Sequence, residues 1–191
     1  MATILINNTP QFINTVYCIG RSYREHIAEL NNPIPDEPLV FLKPNSSIVT
    51  GNTLTLPEFS NTIRDNKTID GVTIGLDLTA RDVQEVCKQK GLPWLKAKGF
   101  KNACWLGELK PFDASKPYEL FLQVNDDIRQ HDTTDKMMYS FEYLIDYLDT
   151  LYGLQQGDII MTGTPKGVGR LQKGDCLYLK LNEYQYSITV K

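Results

Sequence analysis

The sequence contains only two histidines, and none of its four cysteines forms a C-x-x-C pair. Cys18, Cys87, Cys104 and Cys176 are too widely spaced for a zinc ribbon or a redox motif, so they are expected to be reduced core thiols. Neither histidine has a partner at H-x-x-x-H spacing, which removes the usual helical zinc site. No apolar run approaches the roughly 20 residues that cross a bilayer, and no membrane association is expected. The opening MATILINNTPQF has neither a basic segment nor a long apolar one. No signal peptide is expected there, and a cytoplasmic location follows as the expectation. Charge is interspersed, 20 Lys+Arg against 23 Asp+Glu, with no basic stripe, so a nucleic-acid surface is not expected. The glycine-rich stretch 163–169 lacks the Lys-Ser/Thr ending of a P-loop.

What is present reads as short strands with few helices. Hydrophobic residues make up 41% of 191 positions, enough for a buried core in one domain spanning 1–191. Val16–Gly20 and Leu39–Lys43 are apolar runs closed by Gly20 and Pro44, and both predict strands. Residues 21–30 predict a helix with Tyr23, Ile27 and Leu30 on one side, stopped at Asn31-Asn32-Pro33. Residues 48–56 alternate around a Gly51-Asn52 turn, and 72–79 form a β-branched strand. A helix is expected over 80–90 with Gly91 as its stop, and a hairpin turns at Asn125-Asp126-Asp127. Phe141, Leu144, Ile145, Leu148 and Leu151 fall at helical spacing between a Ser140 cap and a Gly153 stop. Strands over 158–161, 176–181 and 186–190 finish the chain. Without a regular βαβ alternation, the fold class is α+β, mainly β.

Several residues carry chemistry. His26 and Glu29, three apart, share a helix face, and a carboxylate beside an imidazole orients it as a base; an exposed surface pair has the same spacing. His131 is expected at the surface. Asp77 sits in an apolar strand, where a carboxylate is costly unless paired or metal-bound. An ion pair with Arg81, or a cap on the next helix, would satisfy it. Lys43 and Lys98, taken singly, read as solvated lysines. The loop 163–169, with Thr164, offers backbone N–H groups and a hydroxyl to an anion, or is an ordinary turn.

Taken in order, these segments resemble one family. Ile19-Gly20-Arg21-Ser22-Tyr23 with His26, Glu29 and Phe41-Leu42-Lys43-Pro44 is similar to the start of the fumarylacetoacetate hydrolase-domain proteins. The block from Gly75 to Gln84, then Lys90-Gly91-Leu92-Pro93-Trp94 with Ala97-Lys98, resembles their centre. Gly157-Asp158 and the run from Met161 to Gly169 resemble their C-terminal signature. The likeness is to the small acylpyruvate hydrolase and oxaloacetate decarboxylase branch. It implies a mixed β-roll with few peripheral helices, a homodimer, and Mg²⁺ or Mn²⁺ held by three carboxylates. By the resemblance, Asp77 is one metal ligand, and His26 and Glu29 activate water. Lys98 neutralises charge, and Arg21, Lys43, Gln84 and Thr164 lie near the substrate. The implied reaction is cleavage of a C–C bond in a small 2-oxo or 2,4-dioxo acid, by acylpyruvate hydrolysis or oxaloacetate decarboxylation.

The sequence departs from that pattern at one place. The resemblance calls for a Glu-x-Glu pair before the Asp77 strand, and this sequence has no Glu-x-Glu anywhere. The domain is shortened between residues 60 and 75, where Asp65 and Asp70 are the remaining candidate ligands. Three accounts stand side by side: a rebuilt or lost metal site, ligands from elsewhere such as Asp65, or a stretch absent from this sequence. The alternative to an enzyme is a metal-free, catalytically silent member that binds an anion or metabolite.

Overall fold

Val16, Tyr17, Cys18 and Ile19 are buried on both faces of their strand, and Asp158, Ile159, Ile160 and Met161 likewise. Such continuous apolar runs suit strands covered on both sides. The computed structural model describes residues 3–6, 9–54, 61–63 and 69–191. Within them the first strands are β1 Thr3–Ile6, β2 Thr9–Phe12, β3 Val16–Gly20, β4 Leu39–Lys43, β5 Ile48–Thr50 and β6 Thr53–Leu54. Next come β7 Asn61–Ile63, β8 Ile69–Val72, β9 Gly75–Asp77 and β10 Cys104–Leu106. The last are β11 Glu119–Val124, β12 Asp127–Thr133, β13 Asp158–Met161, β14 Cys176–Leu181 and β15 Tyr184–Val190. The helices are α1 Arg24–Glu29, α2 Arg81–Gln89, α3 Leu95–Lys98 and α4 Phe141–Tyr152. The fold is mixed α+β, mostly strands with few helices. No helix among the described residues is long and apolar enough to cross a membrane.

Two five-stranded sheets carry the architecture, ordered β12-β11-β14-β15-β6 and β4-β3-β13-β7-β8. A three-stranded sheet, β5-β10-β9, and the β1–β2 pair complete it. The main core lies among the sheets and includes Val16, Cys18, Ile74, Leu76, Trp105, Leu177 and Leu179. The opposite face of β3 and β13 presents Tyr17, Ile19 and Ile160 to Leu144, Ile145 and Leu148 of α4. α4 follows its local signals throughout. The Ser140 hydroxyl accepts from the Tyr143 N–H at 3.2 Å, and Gly153 closes the helix at φ 66°.

One pairing positions the site. β3 and β13 run parallel, with Met161 opposite Cys18. Their C-terminal ends therefore emerge side by side, bringing Arg21 next to the loop that holds Gly163 and Thr164. β9 lies antiparallel to β10, with Asp77 opposite Cys104.

The structure differs from the expected elements in four places. The helix expected over 21–30 begins only at Arg24, because Arg21 adopts φ 58° and turns the chain before the helix can start. The strand expected over 72–79 is two strands in different sheets, β8 and β9. The strands flanking Gly51-Asn52 pair with β10 and β15, not with each other, and residues 55–60 lie outside the described residues. Cys18, Cys87 and Cys104 are buried free thiols, whereas Cys176 is an exposed one.

Candidate active site

Asp77 closes β9 with two ammonium groups against its carboxylate. Lys43 Nζ lies 2.8 Å from Oδ1, and Lys98 Nζ lies 2.5 Å from Oδ2. These partners replace both readings from sequence, an Arg81 pair and a helix cap; Ala80 occupies the N-cap of α2 without a side-chain bond. Burial pushes the Asp77 carboxyl up, but Lys98 and Lys43 together outweigh it and hold it below its ordinary pKa.

The two lysines differ in where they face. Lys43 is 1% exposed, and its ammonium also donates to the carbonyls of Leu78 at 3.2 Å, Lys98 at 2.5 Å and Ala103 at 2.8 Å. It lies behind Asp77 and does not line the pocket in front of it. Burial pulls the Lys43 pKa down, yet Asp77, with smaller contributions from Cys18 and Cys104, more than restores it and the group stays protonated. Lys98 does line the pocket. Its ammonium donates to Thr79 Oγ1 at 2.7 Å and stands 4.4 Å from the Phe41 ring centre.

His26 reaches the same pocket from α1. It is buried, not part of an exposed surface pair, and its Nδ1 lies 3.1 Å from Glu29 Oε2. An ionised carboxylate only accepts, so Nδ1 carries the proton and Nε2 keeps its lone pair. Burial lowers the imidazole pKa from 6.5, and the Glu29 bond opposes this without cancelling it. His26 is therefore neutral at pH 7. Glu29 Oε1 in turn accepts the Gly167 N–H at 2.9 Å, and Lys166 pairs with Glu25 at 2.9 Å. These two contacts tie α1 to the glycine loop. Gly167 has φ 99°, and a Cβ there would stand 1.8 Å from the Arg129 carbonyl oxygen.

Arg21, Gln84 and Thr164 line the pocket with Asp77, His26 and Lys98. The Arg21 guanidinium donates to Pro33 O at 3.2 Å and to Asn32 Oδ1 at 3.3 Å. Of the expected site residues only Lys43 stands apart, and Glu29 acts through His26. Three residues were missed. Arg81 and Lys88 share the pocket-facing side of α2 with Gln84, and their spacing of three and four was a legible signal. Gln130 is buried on β12 and donates to Thr164 Oγ1 and Pro165 O, both at 2.8 Å. It supports the Thr164 loop, and nothing local in the sequence marks it. His131 pairs with Glu119 at 2.5 Å on the exposed face of the β11–β12 hairpin, as its surface reading expects.

A divalent cation does not fit these residues. Among the described residues, no three His, Cys, Asp or Glu side chains come together as a ligand set. Mg²⁺ and Mn²⁺ require several oxygen ligands, mostly anionic, in near-octahedral array. Asp77 offers one carboxylate, with an ammonium against each oxygen. Lys98 hydrogen-bonds Oδ2, while buried Oδ1 has the Lys43 ion pair at 2.8 Å but no hydrogen bond, and one free acceptor oxygen is far from a ligand set. Asp70 lies on β8, and Asp65 falls outside the described residues.

Comparison with known proteins agrees with this architecture. The model of the fumarylacetoacetate hydrolase C-terminal family matches residues 15–66 and 64–186, two segments that meet where the interval before Asp77 is short. The mitochondrial oxaloacetate tautomerase of Bos taurus is 34% identical over 184 residues, covering 84% of this chain and 83% of the relative. That aligned stretch is longer than the part of this chain it draws on, so the relative carries residues without a counterpart here. A solved structure from Oleispira antarctica, ascribed to the fumarylacetoacetate isomerases/hydrolases, superposes with a TM-score of 0.93 at 34% identity, covering 100% of both chains. The fumarylpyruvate hydrolase of Pseudomonas aeruginosa, solved with Mn²⁺ and pyruvate, has a TM-score of 0.89 at 26% identity, covering 99% of this chain and 95% of that one. By a family match over most of its length and by these relatives, which are enzymes, the chain belongs to the fumarylacetoacetate hydrolase family.

Proposed function

We propose that this protein is an enzyme that forms the enolate of a small 2-oxo diacid of the oxaloacetate type, with keto–enol tautomerisation as its basic reaction. The observation that carries the reading is a neutral His26, locked by Glu29, in one pocket with the Lys98 ammonium. Nε2 of His26 takes a proton from C3 of the acid. The electron pair moves onto the C2 oxygen, and the ammonium of Lys98 faces the charge that develops there. The proton then passes to that oxygen to give the enol, and the reverse path restores the ketone. Glu29 is a positioning residue, and Arg21, Arg81 and Thr164 hold the substrate carboxylates.

The C–C cleavages implied by the family also pass through a 2-oxo acid enolate, that of pyruvate, with the same charge on the C2 oxygen. In acylpyruvate hydrolysis an acyl group leaves C3, and in oxaloacetate decarboxylation a carboxylate leaves it. Proton transfer is the simplest of the three, since it requires only a base, a cation and an anion clamp. The relatives named as an oxaloacetate tautomerase and as a fumarylpyruvate hydrolase bracket this range.

The test follows three reactions with the purified protein: ultraviolet decay of the oxaloacetate enol, acetylpyruvate cleavage, and carbon dioxide release from oxaloacetate. His26→Ala is expected to slow tautomerisation and acylpyruvate hydrolysis by about 10²- to 10⁴-fold, the usual worth of a general base. It should spare decarboxylation, which needs no proton removed from C3. Equal loss of all three would remove His26 from the proposed role. Folded protein that binds the acid but turns over none of the three would favour a silent anion-binding member.

A further inference from the structure

Among the described residues, the charges around Asp77 do not cancel. Asp77 is the only carboxylate lining the pocket among the described residues, while Arg21, Arg81, Lys88 and Lys98 line it too. Directly behind it stands the buried ammonium of Lys43, whose four oxygen partners include one carboxylate and three neutral carbonyls. Two buried ammonium groups on one carboxylate leave a net positive charge in a water-poor site, and a surplus of that kind is costly until an anion meets it.

We propose that the pocket takes its 2-oxo acid directly at Lys98, the pocket-facing member of the Lys43–Asp77–Lys98 triad, with no divalent cation in the site. The proposal rests on the reading of this pocket as the 2-oxo acid site and adds how the acid is held. Lys98 supplies the charge at the substrate. Its Nζ is fixed by Asp77 Oδ2, Thr79 Oγ1 and the Phe41 ring, so it is aimed before any ligand arrives. Lys43 serves a different end. Hydrogen-bonded to three carbonyls and ion-paired with Asp77 Oδ1, it holds a fixed positive charge behind the carboxylate without hydrogen-bonding that oxygen. A divalent cation at Asp77 would add two charges to a site already positive, and it would have to displace an ammonium from a carboxylate oxygen. An anion removes the surplus and displaces nothing. The triad therefore selects an anion as its first ligand.

The experiment uses the full chain stripped with EDTA and reads binding, not turnover. Oxalate, a dianion shaped like the enolate of a 2-oxo acid, is titrated by calorimetry and by thermal denaturation, with and without added Mn²⁺. A ligand that binds only the folded state raises its melting temperature. Oxalate should raise it in EDTA, with a Kd that changes less than about twofold when Mn²⁺ is added, and Mn²⁺ or Mg²⁺ alone should leave it unmoved. Lys98→Met should weaken oxalate by at least about tenfold, the scale of one lost charged contact. Lys98→Arg, which keeps the charge, should retain binding and guards against a Met variant that does not fold. Oxalate binding that is lost in EDTA and restored by Mn²⁺, or a melting temperature raised by Mn²⁺ alone, would overturn the proposal. Turnover that fails while oxalate still binds in EDTA would sink the enolisation reading and leave this one standing. Turnover with metal-dependent oxalate binding would do the reverse.

Discussion

Replacing Lys43 by Met tests the buried triad most directly. Met fills nearly the same volume, so the change removes charge and hydrogen bonds with little cavity. Three carbonyls, of Leu78, Lys98 and Ala103, lose their ammonium donor, and Asp77 loses one of its two cations. Breaking a buried ion pair by deleting one partner costs about 3–5 kcal/mol. Asp77 keeps Lys98 at 2.5 Å, which lowers the electrostatic part, while the orphaned carbonyls add to the loss. A net loss of about 3–5 kcal/mol is expected, a large share of the roughly 5–15 kcal/mol that holds a domain folded. For a chain of this size that lowers the melting temperature by about 6–20 °C. Urea unfolding followed by tryptophan fluorescence and circular dichroism gives the number, with an unchanged m-value showing that the unfolded reference is the same. Asp77→Asn alone leaves two ammonium groups facing each other without a carboxylate, so it too should destabilise. Combined with Lys43→Met the two should cost less than their sum, by the coupling expected of groups in contact. A loss below about 1 kcal/mol for Lys43→Met, the range of a surface pair, would refute the buried triad.

The pH dependence of kcat/KM reports His26. A base must be neutral, and burial lowers its pKa from 6.5, so activity should rise with pH through a midpoint below 6.5 and stay level above it. The Glu29 bond raises that pKa, so Glu29→Gln should move the midpoint to still lower pH while reducing the plateau; a midpoint that moves up would contradict the dyad. Gly167 and Gly174 have φ of 99° and 96°, but only Gly167 has backbone where a Cβ would go. Gly174→Ala should cost about 1–2 kcal/mol of conformational strain and Gly167→Ala clearly more, with loss of the Glu29 contact; equal melting temperatures for the two variants would show that the loop has room to shift.

Elements encoded by neighbouring residues were legible. α4 runs from Phe141 to Tyr152 as its apolar period, serine cap and glycine stop require, and β3 and β4 match their apolar runs from end to end. Elements imposed by distant partners were not. The three residues of β10 are too short to show a period, and they are a strand because β5 lies parallel on one side and β9 antiparallel on the other. Residues 72–79 read as one strand because burial makes a run apolar whether it serves one sheet or two. Nothing in Arg21 announces a left-handed backbone, which arginine adopts rarely.

The site divides along the same line. Asp77 was conspicuous because a carboxylate in an apolar strand demands a partner. The partners open to it from sequence were Arg81, the next helix as a cap, or a metal, and the partners found are Lys43 from the end of β4 and Lys98 from α3. Each lysine taken singly resembles a solvated one, since local sequence does not record which carbonyls will surround an ammonium after folding. The resemblance located both lysines but placed them together near the substrate. The structure separates them, with one ammonium behind the carboxylate and one in front. That separation gives the site its direction, because the positive charge left over at Asp77 among the described residues faces, through Lys98, the pocket where His26 waits with a free lone pair.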